Sequence, residues 1–247
     1  MLNVSGELII KNADIVASED GGIIASGKNT NVTLAGVTMR NPGRCLDVLN
    51  GATVTIDKDS VLEATTTNCT VFVGAEKGEK AKLIVNGTVK CDVENYAIAG
   101  NGTDIIGSDI IINDGAQISS ASDSAIYQPQ AGTIIINGGT IEGKDGIYQK
   151  CGTITVNGGT IKGTGNAEYK YNGNGSNAMG HGIVVEFTNY PSGMPKLNVV
   201  GGEIISEQKD AVGYALSPKY AGNKTLDELK AEYVSISDSA TLTSKTE

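Results

Sequence analysis

The chain has 247 residues, 19 basic and 28 acidic, and its formal net charge of −9 leaves no basic stripe that would suit a nucleic-acid backbone. Glycine is abundant at 33 residues without collagen's rhythm, aromatic residues make up only 4% and tryptophan is absent. A core built around large rings is excluded, so the chain must stack many small aliphatic strands instead.

The N-terminal stretch Met1-Leu2-Asn3-Val4-Ser5-Gly6-Glu7 lacks the basic stretch and apolar run of a secretory signal, and no segment approaches a membrane span. From there one phrase recurs: a three-residue aliphatic strand, a turn with Asn and Gly, then a β-branched pair. It reads Leu83-Ile84-Val85-Asn86-Gly87-Thr88-Val89, and again Ile134-Ile135-Ile136-Asn137-Gly138-Gly139-Thr140-Ile141. Its period of roughly 20 to 30 residues is that of a solenoid. The middle residues of the aliphatic strands are Ile9, Thr33, Thr55, Ile84, Ile111, Ile135, Thr155, Asn198 and Ser235, which predicts about nine turns. Their spacing is shortest, about 20, before Thr155 and longest, about 43, after it, so that coil carries an insertion.

A second strand per coil emerges from aligning Gly22-Ile23-Ile24, Leu46-Asp47-Val48, Thr70-Val71-Phe72, Ala97-Ile98-Ala99, Ala125-Ile126-Tyr127, Gly146-Ile147-Tyr148, Gly182-Ile183-Val184 and Ala211-Val212-Gly213. Three short parallel strands per turn, stacked at about 4.8 Å, give a body on the order of 40 Å long. Asn86, Asn113, Asn137 and Asn157 share one phase. Asn tolerates the left-handed conformation and its amide can bond the Asn of the next coil, which predicts an internal asparagine ladder. Cys45, Cys69, Cys91 and Cys151 show no metal-like grouping and read as buried small hydrophobes, with a Cys45–Cys69 contact or disulfide left open. Near the end, Thr225 and Glu228 form a capping box for a short helix with Leu226, Leu229 and Tyr233 on its apolar face, a lid for the terminal coil.

These repeats resemble those of the right-handed parallel β-helix proteins, the pectin-lyase-like superfamily, and more narrowly the Gly/Thr-rich carbohydrate-binding-type repeat proteins of bacteria and their phages. The expected fold is therefore all-β: a single-stranded right-handed parallel β-helix over residues 1–222, with an inserted loop region around 164–195, followed by a capping helix and terminal strand over 223–247. The resemblance is structural and specifies no reaction.

Gly180-His181-Gly182 is similar to a tripeptide of polygalacturonases, but neither Asn-Thr-Asp nor Asp-Asp precedes it and no Arg-Ile-Lys follows. Glycosidic hydrolysis needs two carboxyl groups facing each other across the bond. His181 also occupies the repeat position of Asp145 and Asp210, as ordinary coil punctuation would. Arg40-Asn41-Pro42-Gly43-Arg44 falls one residue short of the Arg-x-Pro-x-x-Arg segment of pectate lyases, and it reads as a turn whose arginines bond carbonyls. Acidic residues are scattered singly, so neither a metal nor a cofactor is expected.

The better binding feature is the insertion from Thr164 to His181, with Tyr169, Tyr171 and the run Asn172-Gly173-Asn174-Gly175-Ser176-Asn177, and a second loop at Tyr190-Pro191. Beside it, Tyr127-Gln128 and Tyr148-Gln149 lie one coil apart, which predicts a tyrosine ladder flanked by a glutamine ladder. Rings and amides in a row suit a sugar chain or a partner protein, with packing of the two tyrosines as the plain alternative. The expected function is a non-catalytic β-helix displayed on a surface, most concretely a phage virion appendage such as a head decoration, fibre or tail-spike-like module contacting glycans or a host surface. The alternatives are a polysaccharide lyase or hydrolase working near His181, Asp145 and Asp210, and a bacterial cell-surface adhesin module.

Overall fold

A computed structural model describes residues 1–17, 21–66 and 69–245. The chain winds into a right-handed parallel β-solenoid of about eight turns. One sheet, sheet A, stacks nine strands from Leu2–Val4 to Val212–Leu216, and a second of sixteen strands supplies the other two faces, B and C. Nine strands per face enclose eight complete turns, so the nine markers count rungs rather than closed coils. The pairing follows the marker residues one by one: Ile9 sits beside Thr33, Thr33 beside Thr55, and so on through Thr155, Asn198 and Ser235.

The second alignment holds with one slip. Leu46, not Asp47, pairs with Ile23 on one side and with Val71 on the other, so the aligned triplet is Cys45-Leu46-Asp47. The reason is alternation: Leu46 and Val48 must both face inward, and a slip by one residue would turn them to solvent.

Faces B and C join differently along the molecule. In the first two coils a single long strand, Glu7–Val16 and then Asn31–Asn41, runs through both faces, bending where Asn12 and Gly36 take φ of 48° and 64°. From Thr53–Ile56 and Val61–Ala64 onward a turn separates the two faces, and three strands per coil appear. At four of these turns a glycine is left-handed, Gly115, Gly139 (φ 82°), Gly159 and Gly202, and none of the ladder asparagines is. A Cβ on Gly139 would stand 2.5 Å from the Ala116 carbonyl oxygen of the preceding coil, so backbone stacking demands glycine there.

The asparagine ladder forms as expected. Asn113, Asn137 and Asn157 each donate to the side-chain oxygen of the preceding Asn86, Asn113 and Asn137 at 2.8, 3.0 and 3.0 Å. It lies on the outer edge rather than inside, because the alternating strands have already filled the interior with Ile112, Ile136 and Val156. Inward residues from all three faces form one aliphatic column. All four cysteines are buried and none is in a disulfide among the described residues, Cys45 donating to the Glu63 carbonyl at 3.3 Å instead of bonding Cys69.

At the far end helix α1 (Leu226–Tyr233) carries the expected capping box between Thr225 and Glu228. It packs on the last strands of faces A and B, burying Leu229 and setting Tyr233 against Phe187. Among the described residues no helix is long and apolar enough to cross a membrane.

Candidate functional site

Outward positions on sheet A form columns along the axis, because successive strands pair in register. One column runs Asp47, Phe72, Ala99, Tyr127, Tyr148 and Val184. The rung-to-rung tyrosine contact is present, with ring centroids of Tyr127 and Tyr148 6.4 Å apart and tilted by 49°. Tyr96 extends it, stacking on Tyr127 at 4.8 Å. The row is not an open platform, however. The insertion, which has no regular secondary structure, lies across it as a strap, and Tyr127 and Tyr148 are buried beneath.

What the strap covers is a charge pair. One residue beyond the paired Gln149 and Val185, Lys150 and Glu186 stand side by side on neighbouring rungs. Their side chains are 1% and 0% exposed, with Nζ 3.5 Å from the carboxylate. Lys150 also donates to the strap's Asn172 carbonyl and lies 5.6, 5.6 and 6.0 Å from the ring centroids of Tyr127, Tyr148 and Tyr190. Glu186 accepts from the Tyr148 and Tyr169 hydroxyls at 2.7 and 3.2 Å. Burial pulls the Lys150 ammonium below its ordinary pKa, against the pull of Glu186. Burial and then the Glu186 charge push the Tyr148 phenol up, so it stays protonated as a donor. The aromatic cage that would greet an incoming cation is thus filled by the protein's own lysine.

The strap is fastened along its length. Asn177 donates to the Tyr148 hydroxyl at 2.8 Å, the Ser176 amide donates to the Tyr96 hydroxyl at 3.1 Å, and the Ser176 hydroxyl donates to Asp123. Tyr190, from the second loop, donates to the Gly173 carbonyl at 2.8 Å and lies 3.4 Å, hydroxyl to hydroxyl, from Tyr127. Tyr171 remains exposed. The glutamine ladder does not form: Gln128 donates to the Gln130 carbonyl, and Gln149 to those of Gly152 and Lys196. Both glutamines are buried, and each spends its amide N–H on main-chain carbonyls.

His181 and its neighbours serve the backbone. The imidazole Nδ1 donates to the Asp210 main-chain carbonyl at 2.7 Å, while burial holds its pKa below the usual value and favours the neutral ring. The ring lies flat on Gly213, where any Cβ would stand 2.3 Å from it. Asp145 is fully buried and accepts from the amides of Gly180 (2.7 Å) and His181 (3.2 Å) and from the Ser124 hydroxyl (3.2 Å). Burial lifts its pKa to about 6. The three residues are neighbours, but Asp145 reaches His181 through its amide, and the imidazole bonds the main chain of Asp210. The arginines bond carboxylates rather than carbonyls: Arg40 pairs with Glu63 at 3.0 Å, and Arg44 with Asp47 at 3.3 Å while covering the Phe72 ring. Among the described residues no cluster of His, Cys, Asp and Glu could hold a metal.

A depression of about 510 Å³ lies toward the C-terminus at His181, Lys209, Asp210 and Lys245, and three smaller ones lie toward the N-terminus, where the strap ends. One of these, of about 260 Å³, is lined by Leu49, Phe72, Asn101, Thr103 and Ile105. A second, of about 210 Å³, shares Asn101 and Thr103 and adds Tyr127, Asn174 and Tyr190. A third lies two rungs further on at Ile24, Arg44 and Asp47. Each of these three is smaller than the ~300 Å³ of an enclosing small-molecule pocket, so they suit an extended ligand laid across successive rungs. Phe72, Asn101, Thr103 and Asn174, which line these depressions, were not among the candidates read from the sequence. The column that joins Phe72 to Tyr127 through Ala99 was the available signal.

No family model matches the chain, and no curated protein or solved structure is significantly similar to it.

Proposed function

We propose that this chain is a non-catalytic, surface-displayed β-helix that holds a glycan chain along the outer face of sheet A. The observation that supports the reading is the pair of adjoining depressions that share Asn101 and Thr103, lined by Phe72, Tyr127 and Tyr190 and by exposed amide and hydroxyl groups. A ring such as Phe72 or Tyr190 offers the apolar face of a sugar a flat contact, while Asn101, Thr103 and Asn174 offer hydrogen bonds to its hydroxyls. The rigid stack presents these groups at the 4.8 Å rung interval, about the scale of a polymer repeat. Display as a virion appendage, with the pectin-lyase-like and phage repeat proteins as its kin, or as a bacterial adhesin module, belongs to the same proposal.

The test is a glycan microarray probed with wild type, Tyr190→Ala and Phe72→Ala, followed by mass spectrometry of the bound polysaccharides after incubation. Binding that falls at least tenfold in both variants, with the glycan left intact, supports the reading. Wild-type binding unchanged in both variants sinks the site, and new oligosaccharides sink its non-catalytic character.

A further inference from the structure

The two ends of the solenoid differ. At the C-terminal end α1 covers the last strands of faces A and B and the uncovered edge is the three-residue strand Thr241–Thr243, whereas at the N-terminal end the ten-residue strand Glu7–Val16 pairs on one side only, with Asn31–Asn41, among the described residues. Its inward Leu8, Ile10 and Ile15, which would be buried in any inner rung, are half exposed. Its outward Ile9 and Val16 are 51% and 80% exposed. A long free strand edge with apolar residues on both faces is a template for another strand.

The sequence of that edge selects its partner. The Gly6 carbonyl and the Ala17 amide bond the second rung, so strand alternation leaves the amides and carbonyls of Ile9, Lys11, Asp14 and Val16 directed out of the end. Asn12, left-handed at the corner between faces B and C, shifts the alternation by one: Leu8 and Ile10 face inward before it, Ala13 and Ile15 after it. Now let a second copy approach end to end, turned about a two-fold axis through the bisector of this corner. Face B of one copy then lies over face C of the other, and the two aliphatic interiors meet. Antiparallel pairing sets Lys11 opposite Asp14, Ile9 opposite Val16 and Ile10 opposite Ile15, each twice. The outward, hydrogen-bonding residues face one another, and so do the inward, apolar ones. Without the shift at Asn12 this register would oppose inward residues to outward ones. The short strand Leu2–Val4 obeys the same symmetry, its inward Leu2 and Val4 exchanging places about Asn3.

We propose that two copies of this chain dimerise N-terminus to N-terminus through the Glu7–Val16 edge, with Lys11 of each copy paired to Asp14 of the other. The contact is isologous, closing at two copies rather than growing into a filament.

Sedimentation velocity across a concentration series tests it, using wild type, Lys11→Asp, Asp14→Lys, the double variant and an equimolar mixture of the two single variants. Wild type is expected to be dimeric. Each single variant opposes like charges at two places, so its dimer should dissociate roughly tenfold more readily or worse. The double variant restores both pairs and should dimerise again. The mixture of single variants should form a heterodimer, since one copy then carries only Asp at these positions and the other only Lys. Unchanged circular dichroism melting shows that each variant folds, both positions being exposed. A monomeric wild type, species larger than a dimer, or single variants that dimerise as well as wild type would overturn the proposal.

Discussion

Removing one member of the Lys150–Glu186 pair should be the most damaging polar substitution in the chain. In Lys150→Met, Glu186 stays fully buried with two tyrosine hydroxyls as donors and no cation. Stranding one charge of a buried pair costs about 3–5 kcal/mol. In Glu186→Leu the ammonium keeps only the Asn172 carbonyl and the three rings, and a loss of similar size follows. The double variant Lys150→Met/Glu186→Leu leaves neither charge and should recover all but about 1–2 kcal/mol, the cost of the tyrosine hydroxyls that lose their acceptor. The coupling in the cycle is thus at least about 4 kcal/mol. Urea unfolding can be followed by circular dichroism and, since the chain has nine tyrosines and no tryptophan, by tyrosine fluorescence that reports heavily on this cluster. Single variants costing under about 1 kcal/mol, or a double variant as unstable as the sum of the singles, would refute the reasoning.

Asp145 should give stability an unusual dependence on pH. Its folded pKa, about 6, lies above its ordinary value of 3.8, so between those two values the folded state binds more protons than the unfolded one. Its contribution is greatest below pH 3.8 and is lost as pH rises through about 6, by at most about 3 kcal/mol. Wild type minus Asp145→Asn across that window should show this slope, and parallel profiles would contradict it. Burial pushes the Cys45 and Cys69 thiols up to about 12, so both should resist a thiol reagent at pH 8 while folded and react once urea unfolds the chain. Prompt reaction of either thiol in the native protein would count against their burial.

The register was legible because each coil repeats the same local instructions: an inward–outward alternation, an asparagine, then a glycine where backbones stack. Where one instruction is weak the reading slipped. Cys45 and Leu46 are both plausible inward residues, and only Leu46 and Val48 flanking Asp47 carry the phase. The buried charge pair was written in the sequence, since extending the Tyr148–Val184 register by two residues sets Lys150 beside Glu186. Charged residues at outward positions read as solvated, and nothing local says that a strap covers them. The strap's path depends on contacts between residues far apart in sequence, such as Ser176 with Tyr96, which no repeat encodes. For the same reason the tyrosines were legible as a ladder, but not as a ladder closed to solvent.

That path bears on how the molecule would respond to force. In a simple solenoid each rung touches only its neighbours, so pulling on the ends peels rungs off one at a time. Here the strap leaves the chain after Thr160–Gly163 and reaches back to Tyr96, Asp123 and Tyr148, while Lys209 beside the final rung of sheet A holds its Glu168. It acts as a staple driven through successive layers. Rungs from Ile98–Ala99 to Ile183–Phe187 should then yield together as one mechanical block, with the coils before Tyr96 left to unzip step by step.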